Sequence, residues 1–457
     1  MSLAQKYPHL EISVLKLSDV LHDNPTKRMD AEYFKGEWVE NGEKVQSPYT
    51  IGDFVSPKIA NIKSFKLNKN FHYLQISDID LSNGLTYPTM EIDFKQIPDR
   101  ATYVLQKNDV CVSLVRPNRN AVALITRPKR LVGTSGFCVL RVASQELIPE
   151  FLYVFCKTNF FITQMVRANT ASMYPAILDR DVLNCKIPLL PLPFQEHIAQ
   201  LVQSAHHALE QSKSLYKEAQ GLLEQELGAL PSAPLTEHSI KTLKESFLST
   251  GRLDAEFYQH KYAQIEDLIK NYSGGVCTLT ESEICDAPFE PQPNTTYRYV
   301  ELAHIGNYGN IATHTEALGA HLPTRARRLA QSGDVLLSSV AGSLSACALI
   351  PPNLSPCVVS TGFFILRSRH FNPETLLTLF KSPLFQTYLA KFSSGTILCA
   401  ISKSALQSVL IPKIPTPTQE HIATLLQESL KHRQEAKDLL TQARATTEHA
   451  LTGGGGG

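Results

Sequence analysis

The side chains best suited to chemistry in this sequence are arginines and lysines, which cluster between residues 107 and 141. Arg116 and Arg119 lie there among the polar residues Ser113, Asn118 and Asn120. Arginine pairs bidentately with phosphates and guanine edges, lysine neutralises phosphates, and amide or hydroxyl groups bond base edges. The pattern therefore predicts nucleic-acid contacts. The candidate residues are Lys58, Lys63, Lys66, Lys69, Ser113, Arg116, Asn118, Arg119, Asn120, Arg127, Lys129, Arg130, Arg325, Arg327, Arg328 and Ser343.

A solvated basic surface is the alternative interpretation of any one of these clusters. The 44 lysines and arginines are offset by 43 acidic residues, so the net charge is +1. Binding of a polyanion must then come from local patches rather than from overall charge. Because Arg325, Arg327 and Arg328 form a second cluster in the other half of the chain, the binding interpretation is favoured.

Signatures of catalysis are missing from the sequence. It contains no Gly-x-x-x-x-Gly-Lys-Ser/Thr phosphate loop and no Gly-x-Gly-x-x-Gly. Asp23-Asn-Pro-Thr26 lacks the second proline and the aromatic residue of an amino-methyltransferase motif, and Pro98-Asp99 lacks the Asp/Glu-x-Lys of a nuclease site. Glu196-His197 and Glu420-His421 have no neighbours to complete a metal site. We expect no catalytic residue, metal or cofactor in this chain.

The chain is a tandem duplication. Residues 187–199, which include Pro-Phe-Gln-Glu-His-Ile-Ala, recur in related form as residues 411–423. Arg28-Met-Asp-Ala-Glu-Tyr-Phe34 recurs as Arg252-Leu-Asp-Ala-Glu-Phe-Tyr258, and both recurrences are offset by 224 residues in a chain of 457. A repeat this long is a domain with its helix rather than a solenoid unit. The strand-like segments of the two halves match while their loops differ, as expected if each half recognises something different.

Short strands and two long helices are predicted to position these residues. Brief apolar segments separated by Gly, Pro, Asn and Asp predict strands, and a helix is predicted from Pro149. The predicted strands of the first half are 73–76, 102–105, 110–115, 121–126, 137–142 and 182–187. Apolar residues at three- and four-residue steps after Phe194 and Thr418 predict two amphipathic helices. Pro191 and Pro193 precede the first of them. Each helix must bury its apolar face against the other helix or against partner subunits. The predicted interface residues are Ile198, Leu201, Val202, Leu209, Leu215, Leu222, Ile422, Leu425, Leu426, Leu439 and Leu440.

Cysteine usage and hydropathy predict a cytoplasmic protein with no membrane segment. The nine cysteines are scattered and none forms Cys-x-x-Cys, which argues against a disulfide framework and for a reducing compartment. The first residues lack the apolar core of a signal peptide, and no segment approaches the roughly 20 apolar residues of a membrane helix. The closing glycines, 453–457, indicate a linker or flexible tail.

Four motifs together resemble the specificity (S) subunits of type I restriction–modification systems. They are the Arg-x-Asp-Ala-Glu start of each half, a Gly/Asn-Asp-Val-x-x-Ser strand, the Ser-Gly-Thr-Ile…Ile-Ser-Lys-Ser-Ala-Leu segment of residues 394–406, and Ile-Pro-x-x-Pro…Gln-Glu-x-Ile before each long helix. The resemblance covers the chain apart from its glycine tail. It departs at Gln195-Glu196 and Gln419-Glu420, where the family often has Glu-Gln. Residues 115–120 replace the usual Ser-Gly-x-x-Gly loop, of which the second half keeps Ala341-Gly-Ser343.

The resemblance implies an α/β (α+β) protein that selects DNA sequence without catalysis. Residues 1–193 and 251–417 would be target recognition domains, each contacting one part of an asymmetric bipartite site in double-stranded DNA. Helices 194–228 and 418–451 would pack as an antiparallel coiled coil, with a linker at 229–250 and a tail at 452–457. Two adenine-methyltransferase subunits would bring S-adenosylmethionine and the chemistry, and a motor-nuclease subunit can join them for phage defence.

Other functions remain open at this point. Within the same class, the chain can serve a methylation-only or type IIB-like system. An enzyme with an unrecognised site is opposed by the missing motifs, and a protein-only scaffold built on the paired helices is opposed by the arginine-rich loops. Neither the target bases nor the length of the spacer between the two half-sites follows from the residues.

Overall fold

The chain divides into two units in the computed structural model. Unit 1 comprises Met1–Ala208 and Glu435–Gly457, and unit 2 comprises Leu209–Gln434. Each unit therefore consists of most of one half of the duplicated sequence and a segment of the other half's long helix. The structure describes residues 3–7, 9–10, 12, 14–21, 24, 27–45, 47–64, 69–86, 89–169, 175–228, 239–395 and 399–453.

Unit 1 begins with short helices and continues into short strands. Its helices are α1 (Leu3–Lys6), α2 (Leu17–Leu21), α3 (Gly36–Lys44), α4 (Pro149–Lys157), α5 (Asn159–Ala168), α6 (Asp179–Leu183) and the start of α7 (Leu192–Leu227). Its strands are β1 (Phe71–Leu74), β2 (Met90–Ile92), β3 (Ala101–Val104), β4 (Val110–Ser113), β5 (Val122–Leu124), β6 (Leu131–Thr134) and β7 (Phe137–Leu140). Single 3-10 turns lie at Ile51–Asp53, Ile62–Ser64, Ile76–Asp78 and Pro117–Arg119.

Two sheets form the frame of unit 1. A four-stranded sheet has the order β2-β1-β6-β3, and a three-stranded sheet has the order β5-β4-β7. β1 runs parallel to β6, and the other neighbours are antiparallel. The turn at Ser135-Gly136 joins β6 to β7 and so links the two sheets. All residues of β4, β6 and β7 are buried, so these strands lie inside the domain.

Unit 2 contains the duplicated elements. Its helices are the end of α7, α8 (Phe247–Thr250), α9 (His260–Lys270), α10 (Pro373–Lys381), α11 (Pro383–Ala390), α12 (Lys403–Gln407) and the start of α13 (Thr416–Gly453). Its strands are β8 (Val276–Cys277), β9 (Thr296–Val300), β10 (Thr315–Leu318), β11 (Ala326–Ala330), β12 (Val335–Ser338), β13 (Cys347–Leu349), β14 (Cys357–Ser360), β15 (Phe363–Leu366), β16 (Ser393–Ser394), β17 (Ala400–Ile401) and β18 (Ile411–Pro412). Single 3-10 turns lie at Glu281–Glu283, Leu302–His304, Gly319–His321, Ala341–Ser343 and Pro352–Leu354.

The sheets of unit 2 repeat the topology of unit 1. The order β10-β9-β14-β11 matches β2-β1-β6-β3, with β9 parallel to β14, and β13-β12-β15 matches β5-β4-β7. Even the bulge recurs, between Ala101 and Tyr103 in β3 and between Ala326 and Arg328 in β11. The duplication seen in the sequence is therefore a duplication of the fold, and the mixed α/β class predicted from the sequence is confirmed.

The long helices α7 and α13 each contribute to both units. Residues 192–208 of α7 and 435–453 of α13 belong to unit 1, and residues 209–227 and 416–434 belong to unit 2. Within unit 2 the two segments run antiparallel. Ser429 Oγ donates to the carbonyl oxygen of Ser212 at 2.7 Å, while Thr418 Oγ1 donates to Glu226 Oε2 at 3.0 Å.

The predicted helix-interface residues are mostly buried in the cores of the two units. Ile198 and Val202 belong to the core of unit 1, and Leu201 and Leu440 pack against it. In unit 2, Ile422, Leu425 and Leu426 lie in the core, and Leu215 and Leu222 pack against it. Leu209 is buried and Leu439 is half-buried. The buried members pack within the chain, whereas the half-buried ones, such as Leu439 and Leu440, keep part of their surface exposed.

Three local predictions are corrected by the structure. Residues 179–183 form helix α6, whereas the sequence predicts a strand at 182–187; the Asp181 carboxylate accepts a hydrogen bond from the Leu178 amide at 2.8 Å and so closes the first turn. Strand β6 is not predicted, because Gly133 interrupts its apolar pattern. Pro193 lies inside α7 rather than before it, since a missing N–H costs nothing in the first helical turn.

None of the helices in the described part of the chain combines the length and the apolarity needed to cross a bilayer. All nine cysteines lie among the described residues, and each is a free thiol.

Candidate nucleic-acid interface

A buried glutamine fastens each long helix to its own domain. Gln195 accepts a hydrogen bond from the Ile148 amide at 2.9 Å. Its Nε2 donates to the carbonyl oxygens of Glu146 at 2.9 Å and Leu190 at 2.8 Å. The partners of Gln419 in unit 2 are the Asn372 amide at 3.0 Å and the carbonyl oxygens of His370 and Ile414, both at 2.9 Å. The glutamine of the duplicated Gln-Glu-His-Ile-Ala motif is therefore a structural residue.

The duplicated Arg-x-Asp-Ala-Glu motif forms an internal clamp. Arg28 pairs bidentately with Asp30 at 2.7 and 2.8 Å, and Arg252 pairs with Asp254 at 2.7 and 2.9 Å. These ion pairs hold the pKa of both aspartates below the usual range. Arg28 Nη1 also donates to the carbonyl oxygen of Asn169 at 2.8 Å, and Arg252 makes the equivalent bond in unit 2. The motif thus anchors the start of each half on its domain.

Arg141, from the 107–141 cluster, and its counterpart Arg367 in unit 2 are bound to buried aspartates. Arg141 donates to both carboxylate oxygens of Asp109, at 2.8 and 2.7 Å. Arg367 forms the equivalent bidentate pair with Asp334 in unit 2. Both aspartates are buried directly before the central strand of the three-stranded sheet. These arginines belong to the frame, so the basic cluster at 107–141 is smaller than the sequence indicates.

Exposed polar residues of unit 1 gather at the end of the sheets where β6 finishes. The Ser135 amide donates to the carbonyl oxygen of Arg100 at 2.7 Å, which places the start of β3 beside the β6–β7 turn. The Leu114 amide donates to the carbonyl oxygen of Gly136 at 2.8 Å, which brings residues 115–120 to the same place. We call this region the loop end of unit 1. Its exposed members include Arg100, Arg116, Asn118, Arg119 and Ser135.

The 115–120 loop holds two arginines on a constrained backbone. Arg116 and Asn120 have φ values of 50° and 49°, in the left-handed region that non-glycine residues seldom occupy. They flank the 3-10 turn Pro117–Arg119, and the Arg116 amide donates to the carbonyl oxygen of Pro175 at 2.7 Å. Such strain concentrates at binding sites, where it positions side chains in advance. The constrained backbone therefore fixes the positions from which the exposed Arg116 and Arg119 side chains extend.

Unit 2 has a loop end with the same frame and different side chains. The Thr361 amide donates to the carbonyl oxygen of Arg325 at 2.8 Å, and the Ser339 amide donates to that of Gly362 at 2.8 Å. The 3-10 turn Ala341–Ser343 occupies the place of Pro117–Arg119. Arginine is therefore absent from this loop, while Arg325 is exposed where unit 1 has Arg100.

The other basic candidates of unit 1 lie at the opposite end of the four-stranded sheet, where β6 begins. The His72 amide donates to the carbonyl oxygen of Arg130, and the Val104 amide donates to that of Ala60, both at 2.9 Å. The exposed members of this lysine end are Lys58, Lys63, Lys69, Arg127, Lys129 and Arg130. Lys66 lies outside the described residues. The single sequence cluster at 107–141 is thus divided between two ends of the domain.

The exposed basic cluster of the lysine end is not repeated in the described residues of unit 2. The corresponding segments, residues 287–295 and 351–356, contain the acidic Glu290 and neither lysine nor arginine. Residues 287–295 lie beside the edge strand β11, where the Phe289 amide donates to the carbonyl oxygen of Arg327. In unit 1 the equivalent edge strand β3 donates from the Val104 amide to the carbonyl oxygen of Ala60, so both segments flank the same strand of the frame. Arg298 of β9 reaches this end of unit 2 but donates to the carbonyl oxygen of Asn353, so it is held within the protein. An exposed arginine in equivalent positions is therefore found at the two loop ends, as Arg100 and Arg325.

Two candidates of the first half are corrected by their burial. Ser113 is the buried last residue of β4, and its hydroxyl donates to the carbonyl oxygen of Val115 at 2.8 Å. Asn120 is half-buried and donates to the carbonyl oxygen of Lys157 at 3.4 Å. Both side chains stabilise the loop from inside, so Ser113 in particular is not available to a base edge.

The second-half candidates differ in availability. Arg328 donates to the carbonyl oxygen of Phe363, and burial lowers the pKa of its guanidinium, so the structure corrects its assignment to DNA. Arg327 is half-buried and lies 3.6 Å from a carboxylate oxygen of Glu290. Ser343 is half-buried and within 3.5 Å of the Val340 carbonyl oxygen. Arg325 is the exposed member of this group.

The last residue of α4 and of α10 is a lysine that supports the neighbouring loop. Lys157 Nζ donates to the carbonyl oxygens of Asn120 at 3.1 Å and Leu81 at 2.9 Å. Lys381 Nζ donates to that of Ser345 at 2.9 Å in unit 2. Desolvation lowers the pKa of Lys157 to about 8 and lowers that of Lys381. These lysines act as supports within the protein rather than as exposed cations.

Arg100 is a functional candidate that the sequence reasoning missed. It belongs to Pro98-Asp-Arg-Ala101, which recurs as Pro323-Thr-Arg-Ala326. In both copies the alanine amide donates to the proline carbonyl oxygen at 2.9 Å. The short duplicated Pro-x-Arg-Ala is the signal that could have revealed it, because it is shared between halves that otherwise differ in their loops.

No protein-family model matches the chain, and neither does any curated protein. Solved structures do match. The HsdS subunit of Thermoanaerobacter tengcongensis is 22% identical with a TM-score of 0.33, and the match covers 88% of this chain and 96% of that one. A chain from work on complex assembly and conformational transition of the type I R-M system is 22% identical, with a TM-score of 0.34 and coverages of 88% and 97%. The type I restriction–modification S subunit of M. genitalium is 16% identical, with a TM-score of 0.39 and coverages of 88% and 95%.

Proposed function

We propose that this chain is the DNA-sequence-specificity subunit of a type I restriction–modification complex. The observation that carries the proposal is that one domain is built twice on the same frame and presents different side chains at its loop end. A protein that recognises two different half-sites of one asymmetric target requires this combination. A shared frame places each domain on the duplex in the same way, and differing loops select different bases.

Contacts to base edges are supported by residues of the loop end of unit 1. Arg116 and Arg119, held on a constrained loop, suit bidentate contacts to guanine, and Asn118 suits adenine. In unit 2 the same place has small residues, Ala341–Ser343, so its base contacts come from other groups at that end. The two domains would therefore select unrelated sequences.

Catalysis in this proposal belongs to partner subunits. Two adenine-methyltransferase subunits would carry S-adenosylmethionine and bind the chain, and a motor-nuclease subunit would add restriction. The chain itself would act in the cytoplasm and contribute sequence selection only. The long helices α7 and α13 would pack along each other as an antiparallel coiled coil and set the spacing between the half-sites.

Methylome sequencing tests the proposal. The full chain is expressed with its adenine-methyltransferase partner in a host lacking other adenine methylation, and methylated positions are mapped across the genome. We expect methylation at one split asymmetric motif that disappears when either protein is omitted. Methylation by the chain alone would show that it is an enzyme. Co-purification with the partner and no methylated motif would favour a protein scaffold.

A further inference from the structure

We propose that Arg100 and Arg325 are equivalent phosphate anchors, which seat each recognition domain on the DNA backbone through its loop end. This inference rests on the proposed function and deepens it, because it assigns the DNA-facing end and the residues that fix register. It selects the loop end over the lysine end, although the lysine end of unit 1 has more positive charge.

The equivalence of the two arginines is shown by their backbone contacts. Each arginine directly precedes the edge strand of its four-stranded sheet, β3 or β11, which pairs antiparallel with β6 or β14. The carbonyl oxygen of Arg100 accepts from the Ser135 amide at 2.7 Å, and that of Arg325 accepts from the Thr361 amide at 2.8 Å. The two backbones are thus fixed in the same way, so the two side chains start from the same point on the frame.

The guanidinium groups are available for an external anion. Arg100 and Arg325 are both exposed, and within the described residues neither side chain has a hydrogen-bonded or ion-paired partner. This distinguishes them from Arg141 and Arg367, which are duplicated too but are held by buried aspartates. A cation duplicated without an internal partner has no structural role that explains its recurrence.

A hydroxyl group accompanies each arginine. Ser135 and Thr361 are exposed at the strand turns that bond the arginine backbones. Arginine, serine and threonine are typical donors to DNA phosphate oxygens. The pair Arg100 with Ser135 and the pair Arg325 with Thr361 therefore present the same donor types at the same place in each unit.

Phosphate rather than base is the expected ligand because the residue is the same in both units. Base contacts must differ between domains that select different sequences, whereas every nucleotide carries the same phosphate. The neighbouring loop follows the opposite rule, with Arg116 and Arg119 in unit 1 and Ala341–Ser343 in unit 2. Constant anchors beside variable loops are the arrangement expected of one DNA-facing end.

The test uses the full chain in complex with its methyltransferase partner. Binding to a fluorescent duplex that carries the methylated motif is measured by anisotropy over a series of KCl concentrations, for wild type and for Arg100→Ala, Arg100→Lys and Arg325→Ala. Arg130→Ala is the matched control, because Arg130 is an exposed arginine at the lysine end of the same sheet. Methylome mapping of each variant reports whether its motif changes.

We expect each alanine variant to weaken binding on the order of 3- to 10-fold at low salt. It should also reduce the slope of log K against log salt by about 0.9, the value for one lost phosphate contact. Arg100→Lys should keep the slope, Arg130→Ala should match wild type, and the methylated motif should be the same for every variant.

Several results would overturn the assignment of the anchors. A wild-type slope for Arg100→Ala, or a reduced slope for Arg130→Ala in its place, would put the DNA at the lysine end. A changed base in the motif of an Arg100 variant would make Arg100 a base contact. Loss of the methyltransferase from the complex would make the loop end a protein interface. If wild type itself neither bound DNA nor directed methylation, the proposed function would fail, and not the anchors alone.

Discussion

At the scale of single residues, the duplicated motifs hold the domains together, and the groups that face outward are fewer than the sequence indicates. Gln195 and Gln419 are each bonded to three backbone groups, and the Arg28 and Arg252 clamps are closed by neighbouring aspartates. Recurrence therefore marks two kinds of residue here. A recurring residue with internal partners belongs to the frame, and one without them, such as Arg100, is a candidate for binding.

We expect Gln195→Ala to destabilise the protein by about 2–4 kcal/mol. The substitution leaves the Ile148 amide and two carbonyl oxygens without their partners. An unsatisfied buried group costs about 1–3 kcal/mol, and because these three bonds are only partly buried, water offsets part of the loss and each group costs about 1 kcal/mol. Gln195→Glu should also destabilise, because a carboxylate cannot donate to the two carbonyl oxygens. The free energy of unfolding is measured by urea denaturation.

The matched control for Gln195 is its neighbour, Glu196→Ala. Glu196 is exposed on the first turns of the same helix, so its removal should change the free energy of unfolding by less than about 0.5 kcal/mol. Equal effects of the two alanine substitutions would mean that the buried glutamine does not fasten α7 to the domain.

The sequence predicts which residues are basic, but not which of them are exposed or at which end of a sheet they lie. Residue type identified Arg116, Arg119 and Arg325 as basic, and the structure leaves all three exposed. It could not show that Arg328 is desolvated against its own sheet, because that depends on pairing between strands distant in sequence. Nor could it separate the two ends of a sheet, since β6 spans only four residues between them.

At the scale of elements, the predictions succeeded where one pattern continued for long enough. The sequence predicts long helices from residues 194 and 418, and the helices start at Leu192 and Thr416. Helix α6 is only five residues long and was mistaken for a strand, because so short an apolar segment fits either period. Tertiary pairing, rather than local preference, decides such segments.

We expect Gly309→Ala to destabilise unit 2 more than Gly333→Ala does. Both glycines have positive φ, 78° and 84°, so both substitutions carry backbone strain of about 1–2 kcal/mol. A Cβ at Gly309 would also lie 2.6 Å from a methyl carbon of the buried Leu377, whereas a Cβ at Gly333 meets nothing within 4 Å. Overpacking adds about 1–3 kcal/mol.

The difference between the two glycine variants isolates the contact between the 306–310 turn and helix α10. It is measured as the shift of the urea midpoint at unchanged m-value, which reports stability without a change in the exposed surface. Equal midpoints would mean that the turn can move away from Leu377 at no cost. The equivalent turn of unit 1 carries Gly84, whose Cβ would meet Tyr153, so Gly84→Ala should behave like Gly309→Ala.

At the scale of the whole molecule, the duplication was the most informative signal in the sequence. It predicted two similar domains, and the sheets of the two units have the same order, pairing and bulge. It did not predict which surfaces differ, because loops of equal length can present different chemistry on one frame. That difference is concentrated at the loop ends. The turn Pro117–Arg119 of unit 1 corresponds to the turn Ala341–Ser343 of unit 2, which has no arginine.

Arg116→Ala with Arg119→Ala should therefore relax the choice of bases in one half of the split motif and leave the other half unchanged. Each lost base contact should reduce discrimination by about 1–3 kcal/mol, and the second half-site is selected by a unit that lacks these arginines. Methylome sequencing measures both halves at once, since degeneracy appears position by position. Arg127→Ala with Lys129→Ala, at the lysine end, is the control and should leave both halves intact. Equal relaxation of both half-sites would assign Arg116 and Arg119 to phosphate contacts or to folding, and the independence of the two domains would then have to be given up.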